Sequence, residues 1–441
     1  MKKDFGTDGI RGKFGKELTE EIAYFTGNCI GKMAKGGIVA IGRDTRLSGT
    51  VLFVQLAKGV LDAGSHVIDL GVISTPAVAY ITSMIYAKFG IVISASHNPK
   101  EYNGIKIFNH EGRKLLDSEE VEIEDFIDKK GKYYSPDRGL LFTNQDAVEK
   151  YFNLVKKASG GDLSGLKIVL DCANGAVSFF APRLFAELGA EVVSYFDSGD
   201  GAVINHNCGA LFPEVIAEKV VQNNADLGFC FDGDADRIIA VDKTGKIING
   251  DSIIYIIAKY LKENNRLNKN SAVGTLHTNM GVEKSFEKLG IKLYRTDIGD
   301  HYVMEKMVKD DLLVGGEQSG HIILREYINT GDGLLTAMYL SKLVKQSGKT
   351  LCELDDSEHF IQVNINIITE YKKQVMMDKS LLKLKEDIEK EIEGKGRILL
   401  RASGTEPKIR IMVEGESREL CDEVALKLQQ KVTKIVEGLE A

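Results

Sequence analysis

The sequence lacks the long apolar runs that mark membrane and exported proteins. Its longest apolar stretches, such as residues 253–258, fall far short of the about 20 residues that a membrane helix requires. Residues 1–12 carry two aspartates and three glycines where an export signal would need an uninterrupted apolar core. We therefore expect a soluble, cytoplasmic protein with no membrane partner.

Cysteine pairs at metal-binding spacing and an excess of basic charge are also missing. The six cysteines are widely scattered with no CxxC spacing, which is typical of reduced, mostly buried thiols in a cytosolic protein. The 57 basic and 64 acidic residues give a formal charge of -7, so no global positive field would attract nucleic acid. We expect no nucleic-acid partner, and an anionic substrate would need a local positive patch.

The length and one repeated pattern indicate several domains. The 441 residues suffice for three or four domains at roughly 150 residues each. An apolar helix that ends in a glycine and leads at once into an extended segment occurs three times, with Gly64, Gly189 and Gly290 at the helix ends. A strand-like run precedes each copy. Three strand–helix–strand units predict three similar α/β domains with mixed sheets.

The C-terminal part follows a different pattern from about residue 361 onward. An alternating run (QVNINII), a charged helix over 379–393, a long strand-like segment and an amphipathic helix over 417–439 predict a small α+β domain with an antiparallel sheet. We place the four domains at residues 1–155, 156–255, 256–365 and 366–441.

Three aspartates alternate along the segment DGDADR, directly after the strand-like run LGFCF. In an extended loop, Asp232, Asp234 and Asp236 can all face one side. Within about 4 Å each pair would repel by roughly 4 kcal/mol at an effective dielectric of 20, so a divalent cation or protonation must offset the charge. Oxygen ligands favour Mg²⁺, and Arg237 and Lys243 occupy positions that exclude a calcium EF-hand. The alternative is a solvated turn.

Ser96 and His97 lie in the segment SASHNP, which follows the apolar run 89–93. This places both residues at the C-terminal end of a strand, where α/β sheets bind ligands. A serine beside a histidine can be a nucleophile with its base, although the same pair also occurs in ordinary turns. The GxSxG elbow of esterases is absent.

Two further polar segments carry groups suited to sugars and phosphates. The segment GEQSGH at 316–321 lies between apolar strands and offers hydrogen-bonding side chains for hydroxyl groups; a β-hairpin turn is the alternative. The segment RASGTEP at 401–407, with Arg410 beyond it, combines guanidinium, hydroxyl and backbone N–H donors around a glycine. That combination is typical of a phosphate-binding loop, and a salt-bridged surface turn is the alternative.

Taken together, the segments FGTDGIRG (residues 5–12), SASHNP, DGDADR, GEQSGH and RASGTEPKIR resemble those of the α-D-phosphohexomutase family. They span essentially the whole chain. The resemblance implies three similar α/β domains and a smaller C-terminal domain around a central cleft. The first segment, the alanine of DGDADR and the glutamine of GEQSGH are most similar to the branch that acts on glucosamine phosphates. The phosphomannomutase/phosphoglucomutase branch more often has DGDGDR and GEMSGH.

The resemblance also implies a role for each matching residue. Ser96 would carry the transferable phosphate and would bind Mg²⁺ through a phosphoserine oxygen together with the three aspartates. His97 and Lys106, the latter in the segment YNGIK, are the candidates for proton transfer, with Arg11 and Arg237 near the phosphoserine. Glu317 and Ser319 are expected to bind two sugar hydroxyl groups. The residues expected to bind the non-reacting phosphate are Arg401, Ser403, Gly404, Thr405 and Arg410.

The implied reaction interconverts glucosamine 6-phosphate and glucosamine 1-phosphate through a catalytic hexosamine 1,6-bisphosphate that turns end for end. It would supply UDP-N-acetylglucosamine and cell-wall precursors. A phosphoglucomutase/phosphomannomutase and a non-catalytic phosphosugar-binding protein are the alternatives, and the absence of a DxDxT motif disfavours a phosphatase. The small-molecule substrate, a hexosamine phosphate, is the expected partner. The sequence leaves open whether the chain forms a homodimer.

Four residues, at three places in the chain, depart from the family pattern. Ala402 replaces a usual proline, His301 stands where GDRYV would have arginine, and the pair His277 and Thr278 replaces Met-Ser. None of them removes a role given above, so they bear on substrate preference and catalytic efficiency rather than on the class of reaction.

Overall fold

The computed structural model describes residues 5–6, 9–115, 117–403 and 407–440. Within these ranges it has 15 α-helices and four β-sheets. The strands are β1 (Phe5–Gly6), β2 (Gly9–Lys13), β3 (Ile38–Arg43), β4 (His66–Val72), β5 (Phe89–Ile93), β6 (Tyr102–Asn109), β7 (Leu141–Thr143), β8 (Lys167–Asp171), β9 (Glu191–Tyr195), β10 (Leu227–Phe231), β11 (Ile238–Asp242), β12 (Ile247–Ile248), β13 (Ser271–Thr275), β14 (Lys292–Thr296), β15 (Val314–Gly316), β16 (Ile322–Leu324), β17 (Ile361–Ile368), β18 (Gly396–Ala402) and β19 (Lys408–Gly415). The α-helices are α1 (Glu20–Ala34), α2 (Ser48–Asp62), α3 (Thr75–Met84), α4 (Asp117–Asp128), α5 (Gln145–Ala158), α6 (Ala181–Glu187), α7 (Pro213–Gln222), α8 (Gly250–Glu263), α9 (Met280–Lys288), α10 (Asp300–Lys309), α11 (Gly333–Ser347), α12 (Leu351–Leu354), α13 (Lys372–Met377), α14 (Lys379–Glu391) and α15 (Arg418–Glu440).

The described residues fall into two compact units. The larger unit contains the residues up to Thr275 together with Tyr294–Asp356, and the smaller contains Leu276–Leu293 together with the residues from Ser357 onward. Across the described ranges, no helix combines the length and the apolar character needed to cross a membrane. All six cysteines are free thiols, and five of them are buried, as the sequence predicts.

The first sheet has seven strands in the order β1-β2-β6-β5-β3-β4-β7. β3 pairs in parallel with β4 and β5, whereas β6 is antiparallel to β5 and to β2, so the sheet is mixed. Apolar residues of α1, α2, β3 and β5 form one continuous core. The segment SASHNP connects β5 to β6 and therefore lies at the C-terminal end of β5, as predicted.

The second sheet has the order β12-β11-β10-β8-β9, and the third has the order β14-β13-β15-β16. β10 is parallel to β8 and antiparallel to β11, so the segment DGDADR forms the connection between β10 and β11. β15 and β16 are antiparallel, and GEQSGH forms the turn between them. The segments SASHNP, DGDADR and GEQSGH thus each follow the end of a buried strand.

The repeated helix–glycine–strand pattern is confirmed in all three copies. Gly64, Gly189 and Gly290 have φ angles of 85°, 89° and 62°, the left-handed conformation that closes a helix without a Cβ clash. They end α2, α6 and α9 and lead into β4, β9 and β14. The three α/β domains are therefore built from the same local unit.

The smaller unit contains an antiparallel sheet in the order β17-β19-β18. Apolar residues of β18, β19, α14 and α15 form its core. This is the small α+β domain that the sequence predicts, although the short helix α13 was not part of that prediction. The fold class is confirmed as mixed α/β sheets with a smaller C-terminal domain, while the four domain boundaries stay predictions.

Candidate active site

Ser96 lies in a left-handed turn directly after β5. Its φ angle is 53°, which is unusual for a residue with a Cβ, and the residue is 1% exposed. Its hydroxyl group donates to Asp232 Oδ2 at 2.6 Å and lies 3.1 Å from His97 Nδ1. Its backbone N–H donates to the hydroxyl oxygen of Ser94 at 2.9 Å. The turn therefore directs a single hydroxyl group toward the acidic segment of the second sheet.

The three aspartates of DGDADR form one buried cluster at the end of β10. Asp232, Asp234 and Asp236 are 1%, 0% and 5% exposed, and one carboxylate oxygen from each lies within 4.8 Å of the other two. Ala235 has a φ angle of 54°, which turns the chain between the last two carboxylates. Asp234 Oδ1 is buried without a hydrogen-bond partner. The cluster predicted from the sequence is thus present.

Two donors from the first domain contact this cluster. The hydroxyl group of Thr75, the first residue of α3, donates to Asp234 Oδ2 at 2.5 Å, and its backbone N–H donates to the carbonyl oxygen of Asp234 at 3.0 Å. Lys106 Nζ donates to Asp234 Oδ2 at 2.9 Å and to Asp236 Oδ2 at 3.0 Å, and its side chain is 2% exposed. Lys106 therefore contacts two of the three predicted metal ligands.

Burial and mutual repulsion govern the charge of the cluster. Burial is the main cause that raises the pKa of Asp232 well above its usual range, followed by the charges of Asp236 and Asp234. Lys106 and the more distant Arg237, whose Nε lies 3.9 Å from Asp236 Oδ1, offset part of the negative charge. A phosphate on Ser96 would add about -1.5 to -2. The site then needs a further cation.

The residues fit a hard divalent cation. All three candidate ligands supply oxygen, which Mg²⁺ prefers, and the unpartnered buried oxygen of Asp234 is available to a cation. The clustered carboxylates would lose most of their repulsion when such an ion binds. The candidate ligand set is therefore chemically consistent with the magnesium site expected from the sequence.

His97 is held in its neutral form. Its pKa is lowered to about 3, chiefly by burial and then by the positive charges of Arg237 and Arg11. Arg11 Nη1 also donates to the side-chain oxygen of Asn98 at 3.3 Å, within the same turn. All the predicted groups around the serine, namely Arg11, His97, Lys106 and Arg237, thus meet at Ser96 and the acidic cluster.

The GEQSGH turn contacts the end of the acidic segment. The carbonyl oxygen of Gly320 accepts a hydrogen bond from the backbone N–H of Ile238 at 2.9 Å. Glu317 is half-buried and accepts a hydrogen bond from the N–H of Gly299 at 3.2 Å, whereas Ser319 is exposed. The prediction of a hairpin turn and the prediction of a polar sugar-binding loop are therefore compatible.

A partly buried network of charged side chains next to this turn was not predicted. His321 Nε2 lies 3.3 Å from Asp300 Oδ2, and Lys114 Nζ lies 2.6 Å from the same oxygen. The three residues line a cavity of about 850 Å³ between the first and third domains, which also contains His301. Asp300 is the first residue of α10, and no local pattern in the sequence links it to Lys114 or His321.

The predicted phosphate-binding residues lie in the smaller unit. Arg401 on β18 pairs with Arg410 on β19, so two guanidinium groups occupy neighbouring strands. Burial, and then the charge of Arg410, lowers the pKa of Arg401. Like charges directly opposite each other destabilise a sheet unless an anion lies between them. Ser403 is buried nearby, and Gly404 and Thr405 lie outside the described residues.

The departure at His277 belongs to the same group of residues. His277 Nε2 lies 3.4 Å from Arg401 Nη2. Its pKa is lowered to about 4 by burial and then by Arg401, Arg397 and Arg410, so the ring is neutral at pH 7. The histidine therefore adds no positive charge of its own beside the arginines.

Four family models together match most of the chain. They are described as phosphoglucomutase/phosphomannomutase α/β/α domain I, α/β/α domain II, α/β/α domain III and C-terminal domain. They match residues 2–134, 145–245, 249–359 and 365–431, respectively. All five motif segments lie within these matches.

Relatives and solved structures agree with the family models. The phosphoglucosamine mutase of Bacillus velezensis is 46% identical over 437 residues, which cover 97% of this chain and 98% of the relative. That of Bacillus subtilis is 44% identical over 441 residues, with 98% of each covered. A phosphoglucomutase/phosphomannomutase family protein from Burkholderia thailandensis has a TM-score of 0.82 at 24% identity and covers 99% of this chain and 98% of its own.

A structure of N-acetylphosphoglucosamine mutase from Aspergillus fumigatus, in complex with GlcNAc-6P and magnesium, is also similar in fold. Its TM-score is 0.68 at 15% identity, with 99% of this chain and 96% of that chain covered. At this identity the likeness supports the fold alone.

Proposed function

The chain belongs to the phosphoglucomutase/phosphomannomutase family, and we propose that it acts as a phosphoglucosamine mutase that interconverts glucosamine 6-phosphate and glucosamine 1-phosphate. One observation carries the proposal. The Ser96 hydroxyl group lies 2.6 Å from Asp232, at the edge of three buried carboxylates that fit a divalent cation. This geometry suits a serine that carries a phosphate beside a metal ion.

Ser96 is the group that donates and receives the phosphoryl group in this proposal. A free hydroxyl group of the sugar phosphate loses its proton to a neighbouring side chain, and its oxygen forms a bond to phosphorus. The bond from phosphorus to Ser96 Oγ breaks, and Oγ takes up a proton. Asp232, Asp234 and Asp236, with an oxygen of the phosphoserine, would hold Mg²⁺, which would neutralise charge on the transferring phosphoryl group. The product of the first transfer is a hexosamine 1,6-bisphosphate.

Proton transfer and charge balance fall to the neighbouring side chains. Neutral His97, with Nδ1 at 3.1 Å from Ser96 Oγ, is placed to exchange a proton with that oxygen. Lys106, the second candidate, donates to two of the carboxylates and supplies positive charge beside them. Arg11 and Arg237 add positive charge near the phosphoserine, as their effect on the pKa of His97 indicates.

The substrate must present each of its ends to Ser96 in turn. We assign the non-reacting phosphate to Arg401 and Arg410, whose paired positive charges favour an anion, together with Ser403, Gly404 and Thr405. Glu317 and Ser319 are assigned to two sugar hydroxyl groups. The bisphosphate then turns end for end and returns its other phosphate to Ser96.

The preference for an amino sugar rests on the named relatives at 44–46% identity. Glucosamine and glucose phosphates differ at C2 by an amine against a hydroxyl group. One charged hydrogen bond contributes about 1.5 to 3 kcal/mol, or roughly ten- to a hundredfold in kcat/KM. The second candidate function is that of a phosphoglucomutase/phosphomannomutase, because the family models are described by those two activities. The cytoplasmic location and the homodimer stay predictions.

Purified protein should be given glucosamine, glucose and mannose 6-phosphates in parallel, with products resolved by phosphorus NMR. We expect glucosamine 6-phosphate to be preferred by about ten- to a hundredfold and mannose 6-phosphate to be the poorest substrate. Intact mass should show one phosphate that Ser96→Ala lacks, and this variant should be folded and inactive. A clear preference for glucose or mannose phosphate would reject the amino-sugar assignment, and an active Ser96→Ala would reject the mechanism.

A further inference from the structure

One buried guanidinium group holds the whole turn that contains Ser96. The side chain of Arg46 has no exposed surface. Its Nη atoms donate to four backbone carbonyl oxygens of this turn: Ser96 at 2.9 Å, Asn98 at 2.8 Å, Pro99 at 2.6 Å and Tyr102 at 2.9 Å. All four acceptors belong to the turn, and none belongs to the acidic cluster.

Arg46 is itself fixed by a buried carboxylate. Its Nε donates to Asp44 Oδ2 at 2.9 Å, and its backbone N–H donates to Asp44 Oδ1 at 2.9 Å. The hydroxyl group of Ser94 donates to Asp44 Oδ2 at 2.7 Å. All five N–H donors of the guanidinium group are therefore used, which leaves the group no freedom to rotate.

A second donor reaches the same turn from the second α/β domain. Asn205 lies between β9 and α7, and its Nδ2 donates to the carbonyl oxygens of Ser96 at 2.8 Å and Asn98 at 3.1 Å. A Cβ at Gly233, in the acidic segment, would lie 2.7 Å from the Ser96 carbonyl oxygen and 3.0 Å from Asn205 Nδ2. The carbonyl group of Ser96 is thus enclosed by two domains.

These contacts act on the peptide group that sets the direction of the serine side chain. A left-handed φ angle in a residue with a Cβ is unfavourable and persists only when its surroundings fix it. Rotation of the Ser96 peptide group would break the hydrogen bonds from Arg46 and Asn205 to its carbonyl oxygen. Because the N–H of Ser96 also donates to Ser94 Oγ, the backbone is held on both sides of Cα, which fixes the direction of the Cα–Cβ bond and hence of Oγ toward Asp232.

We propose that Arg46 and Asn205 are positioning residues for phosphoryl transfer. They hold Ser96 in its left-handed conformation, so that Oγ stays directed toward the carboxylates. The inference rests on the proposed function of Ser96 as the phosphate carrier. Neither residue touches the reacting atoms, so both act through the backbone of the turn. Their loss should reduce kcat and leave the affinity for the sugar phosphate nearly unchanged, because other residues bind the substrate.

The chain offers a matched pair of variants for the test. Asn205→Gly removes the amide and tolerates the φ angle of 57° at this position. Asn207→Gly is the control, because Asn207 has a φ angle of 51°, is exposed and lies two residues further along the same segment. Arg46→Lys keeps a positive charge but offers three donors instead of five, so it tests the same turn from the first domain. Its own control is Arg43→Lys, since Arg43 pairs with Asp69 outside the turn.

Each variant should be assayed for kcat and KM with glucosamine 6-phosphate, for the phosphate content of Ser96 by intact mass, and for melting temperature. We expect Asn205→Gly and Arg46→Lys to lower kcat by about ten- to a hundredfold, with KM changed less than about threefold, because small misplacements of a reacting group carry such costs. Asn207→Gly and Arg43→Lys should match the wild type.

Normal kcat in Asn205→Gly, or a rise in KM without a fall in kcat, would overturn the inference. So would an equal loss in Asn205→Gly and Asn207→Gly, or a loss that matches the fraction of unfolded protein. These outcomes apply only if the wild-type protein is active and carries phosphate on Ser96. An inactive wild type, or one without phosphate on Ser96, would instead reject the proposed function.

Discussion

Replacement of Lys106 by methionine tests whether the buried carboxylates depend on a shared cation for stability. The Lys106 side chain is 2% exposed, and its Nζ lies 2.9 Å from Asp234 and 3.0 Å from Asp236. Methionine keeps an unbranched apolar stem and removes the ammonium group. Removal of one partner from a buried ion pair costs about 3–5 kcal/mol, because the remaining charge is left without compensation. We expect a loss of that size in the free energy of unfolding when a chelator is present.

Magnesium should reverse much of this loss. A cation that binds only the folded protein stabilises it by about 2.7 kcal/mol at a hundredfold excess over its Kd. The Lys106→Met site is one unit more negative than the wild-type site, so it should bind Mg²⁺ more tightly and gain more stability from it. The difference between the two gains is the quantity that this experiment measures.

Lys129→Met is the matched control. Lys129 pairs with Asp125 on the surface, where the two side chains are 71% and 59% exposed, so its loss should cost less than about 1 kcal/mol. Because the chain has no tryptophan, unfolding is best followed by calorimetry or circular dichroism, in chelator and in magnesium. Equal stability of wild type and Lys106→Met in chelator, or equal stabilisation of both by magnesium, would refute the reasoning.

Three further changes have defined outcomes. Asp234→Asn should abolish turnover and the stabilisation by magnesium, because an amide offsets less positive charge than a carboxylate; full activity in excess chelator would exclude the metal site. Arg410→Ala should release free 1,6-bisphosphate, detected by phosphorus NMR, and normal retention would remove this residue from the site. Burial raises the pKa of Asp332 to about 7, so the folded protein binds a proton that the unfolded chain has lost above about pH 4. The free energy of unfolding should therefore fall, by roughly 4 kcal/mol at most, as the pH rises from about 4 to 7; Asp332→Asn should flatten this fall, and an unchanged profile would contradict the assignment.

Local patterns predicted the parts of this molecule that depend on neighbours in the sequence. Gly64, Gly189 and Gly290 could be predicted to end helices, because the end of a helix depends on the few residues around it. The run at 89–93 is β5, and the alternating run near 361 is β17, which pairs antiparallel with β19 as expected. The acidic cluster could also be predicted, since its spacing alone places three carboxylates on one loop.

The residues that hold the site could not be predicted, because their partners are distant in the sequence. Thr75 donates to Asp234 across 159 positions, and Asn205 donates to Ser96 across 109. Arg46 lies in a segment that resembles an ordinary loop between β3 and α2. Four of the five hydrogen bonds of its guanidinium group depend on the path of a turn that lies at least 50 residues further on. Such contacts depend on the packing of whole domains, which no local pattern contains.

Two glycines of the motif segments show how the separate loops become one site. A Cβ at Gly233 would lie 2.7 Å from the carbonyl oxygen of Ser96, and a Cβ at Gly320 would lie 2.1 Å from that of Ile238. Both distances are shorter than real Cβ contacts allow, so the acidic segment contacts the serine turn on one side and the GEQSGH turn on the other only because these residues lack side chains. In isolation, each glycine marks a turn. In the folded protein each one sets the distance between two loops, and an added methyl group at either position would move the carboxylates away from the groups that they must meet.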